Sequence, residues 1–299
     1  QIVEIDAVQA GVPVISSASL TTDTTPVVSG TAEVGSTITA VIAGATYSVV
    51  ATDGTWSIDT DTASIVSGTL SVNEGDNSVS VTATDAALNV SSAGTQTLVL
   101  DTTAPTVTIT DDASSTTNGD ITFTMTFDEV VDGFDATDIT VGGGTAGTFT
   151  QTGAKVYTLV VTPAANAAGN VTVDIAGAIA TDAAGNDNVA TQATQAVDTA
   201  APTPTITTIT TPNSDNTPTI TVTTDTGSTV KIYADGALLG TATEDGSTGT
   251  FTLTPSALPD GSYSITATAA DTTGNVSAEA TAQIVEIDAV QAGVPVISS

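Results

Sequence analysis

The chain contains no cysteine and no histidine. That excludes disulfide staples, thiolate nucleophiles, cysteine- or histidine-ligated zinc and the commonest general base. Its only basic side chains are Lys155 and Lys231, against 33 acids, for a formal charge of −31 over 299 residues. Such a chain repels nucleic-acid phosphates and anionic lipid, so neither is an expected partner, and its natural counterions are cations. Aromatic residues make up only 3% of the chain. Its cores must therefore be built from Val, Ile, Ala and Leu. No run approaches the length of a membrane span, so no membrane insertion is expected in this segment, and no signal-peptide pattern is visible.

What the chain does have is threonine, 64 of them, and a period of two. In "ITFTMTF" (121–127) the apolar residues Ile121, Phe123, Met125 and Phe127 alternate with threonines. "NSVSVTATD", "TPTITVTT", "NVTVDIAG" and "SYSITATAAD" follow the same rule. Each reads as a strand with one face in a core and the other in water. β-Branched Thr suits that half-buried surface. No 3.6-residue stripe competes, so the expected fold class is all-β, and the alternation is too regular for the disorder that an acidic Ser/Thr/Gly chain would otherwise suggest.

The chain also repeats itself. "QIVEIDAVQAGVPVISS" occupies residues 1–17 and again 283–299, an offset of 282 residues. The segment reads as one period of a tandem array plus a short overlap. Shorter signals subdivide that period: "LDTTAPT" (100–106), "VDTAAPT" (197–203) and the longer "EIDAVQAGVPV" (4–14 and 286–296). Each ends a strand, carries one Asp and reaches a Pro that opens the next extended run. The expected boundaries are 1–11 for the last strand and linker of a preceding repeat, then domains over 12–101, 102–198 and 199–288, then 289–299 as the start of the next repeat. Residues 1–6 should be a strand whose own sandwich is missing.

Each unit carries about seven short strands separated by Gly, Asp and Asn turns. "TDGT" (52–55) and "TNGD" (117–120) read as hairpin turns. This is the pattern of an immunoglobulin-like sandwich, with a small closed barrel as the alternative. Units one and three also align, with "GTWSI" answering to "GTFTL", so Trp56 and Phe251 should share a core position. The junctions "DTTAP" and "DTAAP", the opening "SGTAEVGST", the "FDEVVDGFDATDI" of unit two and the closing "TDAAGN" and "ADTTGN" cover nearly the whole chain in fixed order. In this the sequence resembles the bacterial Ig-like tandem repeats of giant secreted adhesins and biofilm-associated proteins, often exported by type I systems. The resemblance implies an elongated stalk outside the cell or on its surface, stiffened by calcium at domain junctions and serving adhesion or biofilm formation.

The loops allow that implication to be checked. In an antiparallel sandwich, the turn after the second strand and the turn before the last return to the pole where the linker arrives. In unit two these three places carry Asp101, Glu129, and Asp182 with Asn186. The corresponding residues are Asp6, Glu33, Asp85 and Asn89 in unit one, and Asp198, Asp225, Asp271 and Asn275 in unit three, while Asp288 repeats Asp6 for the next copy. Carboxylates brought that close repel by about 4 kcal/mol per pair at an intermediate dielectric. With no Lys or Arg in these loops, a hard divalent cation is the expected partner. Ca2+ accepts irregular shells of six to eight oxygens, whereas Mg2+ demands a tight octahedron, so calcium is expected at each junction. The acids of "NEGDN" (73–77), "TEDGS" (243–247) and Asp260 read as solvated turns at the far pole or sides, some close enough to lend an oxygen to the next junction.

An enzyme is not expected. Asp128–Glu129 is a tempting glycosidase pair, yet the same acids recur at every junction, as catalytic groups rarely do. A carbohydrate- or protein-binding module would need an exposed aromatic patch, and the Trp and Tyr positions alternate as core or sheet residues. A self-assembling fibre or surface layer, joining copies through the end strands, is the other alternative; the neighbouring repeats of the array are the expected partners. The glycosylation-like triplets at Asn89, Asn170 and Asn275 read as turn chemistry.

Overall fold

The computed structural model describes residues 7–289, so Asp6, the strand expected over 1–6 and nearly all of 289–299 lie outside the described residues. The chain is nearly all β: among the described residues the one helix is a single 3-10 turn, Ala136–Asp138, capped by the Asp135 carboxylate. Every alternating run named above lies on a strand, including Gly75–Thr84, Ile121–Phe127, Ala168–Ile175, Ile220–Thr223 and Gly261–Ala270.

Three sandwiches follow one another. In unit one, a three-stranded sheet orders Val14–Ile15, Val27–Thr31 and Thr55–Asp59. It faces a six-stranded sheet centred on Gly75–Thr84 and Thr37–Ile42. In unit two, Val107–Asp111, Ile121–Phe127, Val156–Pro163 and Gly144–Gly153 form one sheet, and Ile139–Gly142, Ala168–Ile175 and Thr191–Asp198 the other. Unit three opposes a sheet around Ile220–Thr223 and Thr250–Leu253 to one ordered Ala237–Thr241, Thr229–Ala234, Gly261–Ala270 and Gln283–Ile287. The repeated "QIVEI" at 283–287 is thus an edge strand of the third sandwich.

Each sandwich closes on its own core, filled from the inward faces of both sheets. Burial of each Val, Ile or Phe there contributes about 1.5–3 kcal/mol. Unit two adds an aromatic cluster in which Phe134 meets Phe127 and Tyr157 edge-on, at 5.1 and 4.9 Å between centroids. Ala10 is buried in the first core and Ala289 packs against the third, so each of those cores reaches past the expected boundary. Trp56 and Phe251 are both buried on answering strands, opposite Gly30 and Val222.

The two turn expectations part ways. At "TDGT", Asp53 and Gly54 take positive φ (52° and 80°) and Thr55 N donates to Thr52 O, a tight reversal. "TNGD" makes no hairpin. Thr117 instead bridges Val197 in parallel, with Thr117 N donating to Ala196 O. The segment crosses from one sheet to the other, and that crossing overrides the local Asn-Gly preference. Asn170 likewise is a strand residue opposite Ala196, not part of a turn.

Candidate metal centre at the domain junction

A common set of rearward bonds holds every described junction. The junction Asp donates its main-chain N–H back into the preceding unit: Asp101 to Thr21 O, Asp198 to Thr117 O, Asp288 to Asn213 O. The next residue is also held from behind. Thr102 N donates to Glu74 Oε1 at 3.0 Å, Thr199 N to Ala167 O at 2.8 Å, and Ala289 N to Asp260 Oδ1 at 2.9 Å. Forward, the carbonyl of Asp101 accepts from Asn186 Nδ2 at 2.9 Å and that of Asp198 from Asn275 Nδ2 at 2.8 Å. Linker and loops are therefore one bonded unit, and Glu74 and Asp260, both exposed, are the turn acids that lend an oxygen to the next junction.

The "DxxGN" loop supplies the forward grip. Asp182 Oδ1 accepts the N–H groups of Ala184, Gly185 and Asn186, and its Oδ2 accepts Asn186 Nδ2. This Asx arrangement closes the loop on its own carboxylate, with Gly185 at φ 96°. Asp271 and Asp85 do the same for Asn275 and Asn89. Burial opposes ionisation of Asp182, but these donors outweigh it and hold the carboxyl below its ordinary range; Asp271 follows the same balance. At Asp85 the Asn89 side chain leads the downward shift. All three stay ionised at neutral pH.

In unit two the third acid arrives as well. The loop after Ile121–Phe127 bonds to the "TDAAGN" turn through an antiparallel bridge, Asp132 N to Thr181 O and Thr181 N to Asp132 O. Asp128 turns back to Thr106, accepting from its N–H and hydroxyl. Glu129 is left facing the linker. Carboxylate oxygens of Asp101, Glu129 and Asp182 all lie within 4.8 Å of one another, from positions spread over 82 residues, and only Asp182 is fully buried. Burial first, then the charges of Asp182, Asp101 and Asp128, push the Glu129 carboxyl up, and Lys155 offsets part of that.

Lys155 is a cation the loop sequences did not foretell. Its Nζ donates to Asp128 O across the sheet. Glu74 also stands beside Asp101; bonds from Thr102, first the backbone and then the hydroxyl, hold its carboxyl low. Only the register of neighbouring strands could have located Lys155, whereas Glu74 is one of the turn acids expected to lend an oxygen to the next junction.

The expectation of three converging acids at every junction needs correction. Among the described residues, the Asp101 junction alone gathers three acidic side chains in this way. Asp225 is exposed and falls out of place for a reason of register. Thr205 pairs with Thr223, and counting on sets Asp225 opposite Thr203, five residues past its junction Asp. Asp128 stands opposite Thr106, likewise five past Asp101. Asp225 therefore answers to Asp128, and the place of Glu129 is held by Thr226. Since side chains alternate, a slip of one residue turns the carboxylate the other way. Glu244, expected at the far pole or sides, folds onto this same loop and accepts from Gly227 N and Gly249 N. In unit one, Glu33 is exposed in its turn, while its partner Asp6 lies outside the described residues. Asp288 is exposed beyond the strand Gln283–Ile287.

Family comparison decides what these sandwiches are. Residues 101–197 match one bacterial Ig-like domain model and residues 207–289 match another. The chain is a tandem of bacterial Ig-like domains. No curated protein matches it. Among solved structures, the Ig-like array is similar to a tetra-tandem repeat in the extending region of a large adhesion protein. The identity is 22%, over 96% of this chain and 76% of that one, with a TM-score of 0.33. The titin domains I67–I69 are 12% identical over 88% of this chain and 91% of theirs, with a TM-score of 0.38. Invasin, a bacterial integrin-binding protein, is 13% identical over 85% and 56%, with a TM-score of 0.33. No helix among the described residues is long and apolar enough to cross a membrane.

Proposed function

We propose that this segment is a structural extender of a bacterial surface adhesin, stiffened by Ca2+ held between Asp101, Glu129 and Asp182. The single observation that carries the reading is the meeting of those three carboxylates, one from the linker and two from loops of the following domain, within 4.8 Å. The donor set is entirely oxygen, which suits a hard cation, and its irregular make-up suits calcium better than magnesium. The Asn186 amide oxygen and main-chain carbonyls are of the right kind to complete a shell of six to eight. The upward push on Glu129 points the same way, because a divalent ion would offset the repulsion its neighbours impose.

Mechanically, the ion would tie the linker to two loops of unit two, adding to the hydrogen bonds already present. Extracellular modules bind calcium at about 0.1–1 mM, so the joint would be loaded outside a cell and empty in a calcium-poor cytosol. Repetition of the 282-residue period would give such a stalk its reach. Cell adhesion and biofilm formation are the uses this reading implies. Strand Gln283–Ile287 completes the sheet of unit three, which supports reading the overlap as array continuity over a fibre joined by loose end strands.

The test is thermal unfolding and small-angle scattering of the whole chain in millimolar calcium and in chelator. Calcium at about 100 times its Kd should stabilise unit two by about 2.7 kcal/mol and sharpen the longest dimension. Asp182→Asn should blunt both effects. Identical curves with and without chelator would overturn the reading.

A further inference from the structure

The two junctions described in full are built differently. At Asp198 the place of Glu129 belongs to Thr226, and the nearby Glu244 is spent on Gly227 N and Gly249 N. In exchange this junction has direct contacts that the Asp101 junction lacks. Asn118, on the crossing segment of unit two, donates its side-chain amide to Asn275 Oδ1 of unit three at 3.1 Å. The answering position in unit one is Thr22, one past the Thr21 carbonyl that accepts from Asp101 N, and its side chain is a shorter one.

Thr273 replaces Ala184 in the loop. Its hydroxyl donates to Asp271 Oδ1 at 2.8 Å, accepts from Asn275 Nδ2 at 2.8 Å and lies 3.4 Å from the Asp198 carbonyl oxygen. Behind the linker both junctions are held, but differently. Thr102 gives its N–H and hydroxyl to the charged Glu74 carboxylate. Thr199 instead exchanges bonds with uncharged main chain of unit two: Thr199 N to Ala167 O, Ala167 N to the Thr199 hydroxyl, and that hydroxyl to Ala164 O. The Asn275 amide oxygen, whose counterpart on Asn186 is of the kind that can serve a cation, here accepts a protein donor.

We infer that the Asp198 junction is a metal-independent clamp, locked by Asn118–Asn275 and the Thr199 and Thr273 hydroxyls, so that the two fully described joints are of different kinds. One would stiffen with calcium and the other would be stiff without it. The contrast rests on the calcium reading for Asp101, but the clamp itself does not. A stalk built this way would keep units two and three together when calcium falls and bend at the Asp101 joint.

The absence of native cysteine makes the test direct. Exposed Thr97 and Thr126 can be converted to Cys for spin labels across the Asp101 joint, and Gln192 and Thr252 across the Asp198 joint, in the full chain. Pulsed dipolar spectroscopy then reads each distance distribution in calcium and in chelator. The Asp101 pair should broaden at least about two-fold on chelation, while the Asp198 pair keeps its width. Asn118→Ala and Asn275→Ala should each broaden the Asp198 pair in both conditions. If the Asp198 pair broadens on chelation as the Asp101 pair does, or ignores both substitutions, the inference is overturned. If neither pair responds to calcium but both substitutions broaden the Asp198 pair, the clamp stands and the calcium reading of Asp101 falls.

Discussion

Asn186 reaches across 85 residues of sequence to donate its side-chain amide to the main-chain carbonyl of Asp101, while its own N–H and the same amide hold Asp182. One residue thereby fixes the linker and one carboxylate in a common frame. Removing it as Asn186→Ala leaves all three acids in place but unties that frame. At about 1 kcal/mol per hydrogen bond, unit two should lose roughly 1–2 kcal/mol in urea unfolding in chelator. Calcium titration followed by the same unfolding should show weaker binding. An unchanged calcium response would mean that the loop holds its shape without this bond.

Glu129 makes a prediction whose sign is set by its upward shift. A carboxyl with a folded pKa above its unfolded value binds protons more tightly when folded. Its ionisation therefore opposes folding, and the penalty grows as pH rises through the folded value. Asp182 is shifted the other way; its contribution is present above the unfolded value and fades as pH falls through the folded one. In chelator, then, Glu129→Gln should stabilise unit two near neutral pH and leave stability at low pH almost unaltered. In calcium the same substitution should destabilise. Denaturant midpoints measured across the carboxylate range, with and without calcium, would expose the reversal; a substitution effect of one sign in both media would count against a bound ion.

How much of this was legible from sequence alone follows from what alternation encodes. A period of two assigns residues to faces, so Phe123, Met125 and Trp56 could be placed in cores with no structure. Punctuation by Asp and Pro marked the joints, and the loop order brought Asp101, Glu129 and Asp182 to one pole. Alternation does not encode register between strands. That is why Asp225, one residue from the needed place, looked equivalent to Glu129, and why Lys155 went unplaced. Asn118 was hidden for a related reason: its Asn-Gly dipeptide signals a tight turn, and only pairing with Val197 draws that segment across to the next sheet.

Gly30 gives unit one a probe of its own. A methyl group there would run into the Val14 carbonyl oxygen and the Trp56 ring, which packs over the bare Cα. Gly30→Ala should therefore cost about 1–3 kcal/mol, the usual range for overpacking, and displace the chain's only tryptophan. Fluorescence of Trp56 would report unfolding of unit one alone, and its midpoint should drop while the junction behaviour of units two and three stays as it was. An unshifted midpoint would mean that the first strand, Val14–Ile15, yields at little cost.

Register also predicts a gain of function. If Thr226 occupies the place of Glu129, then Thr226→Glu brings a third carboxylate towards Asp198 and Asp271, with no other change to the loop. Without calcium the added charge is opposed by Asp198, Asp271 and the nearby Glu244, with no lysine answering to Lys155, so unit three should be destabilised in chelator. Calcium should reverse that loss, giving the Asp198 joint a response it otherwise lacks. Asp225→Glu serves as the control, since lengthening the acid at the place of Asp128 leaves it on the wrong side of the strand. Calorimetric unfolding of both variants in calcium and chelator decides the matter. A calcium response from Asp225→Glu and none from Thr226→Glu would show that the count from Thr205–Thr223 does not carry into the loop.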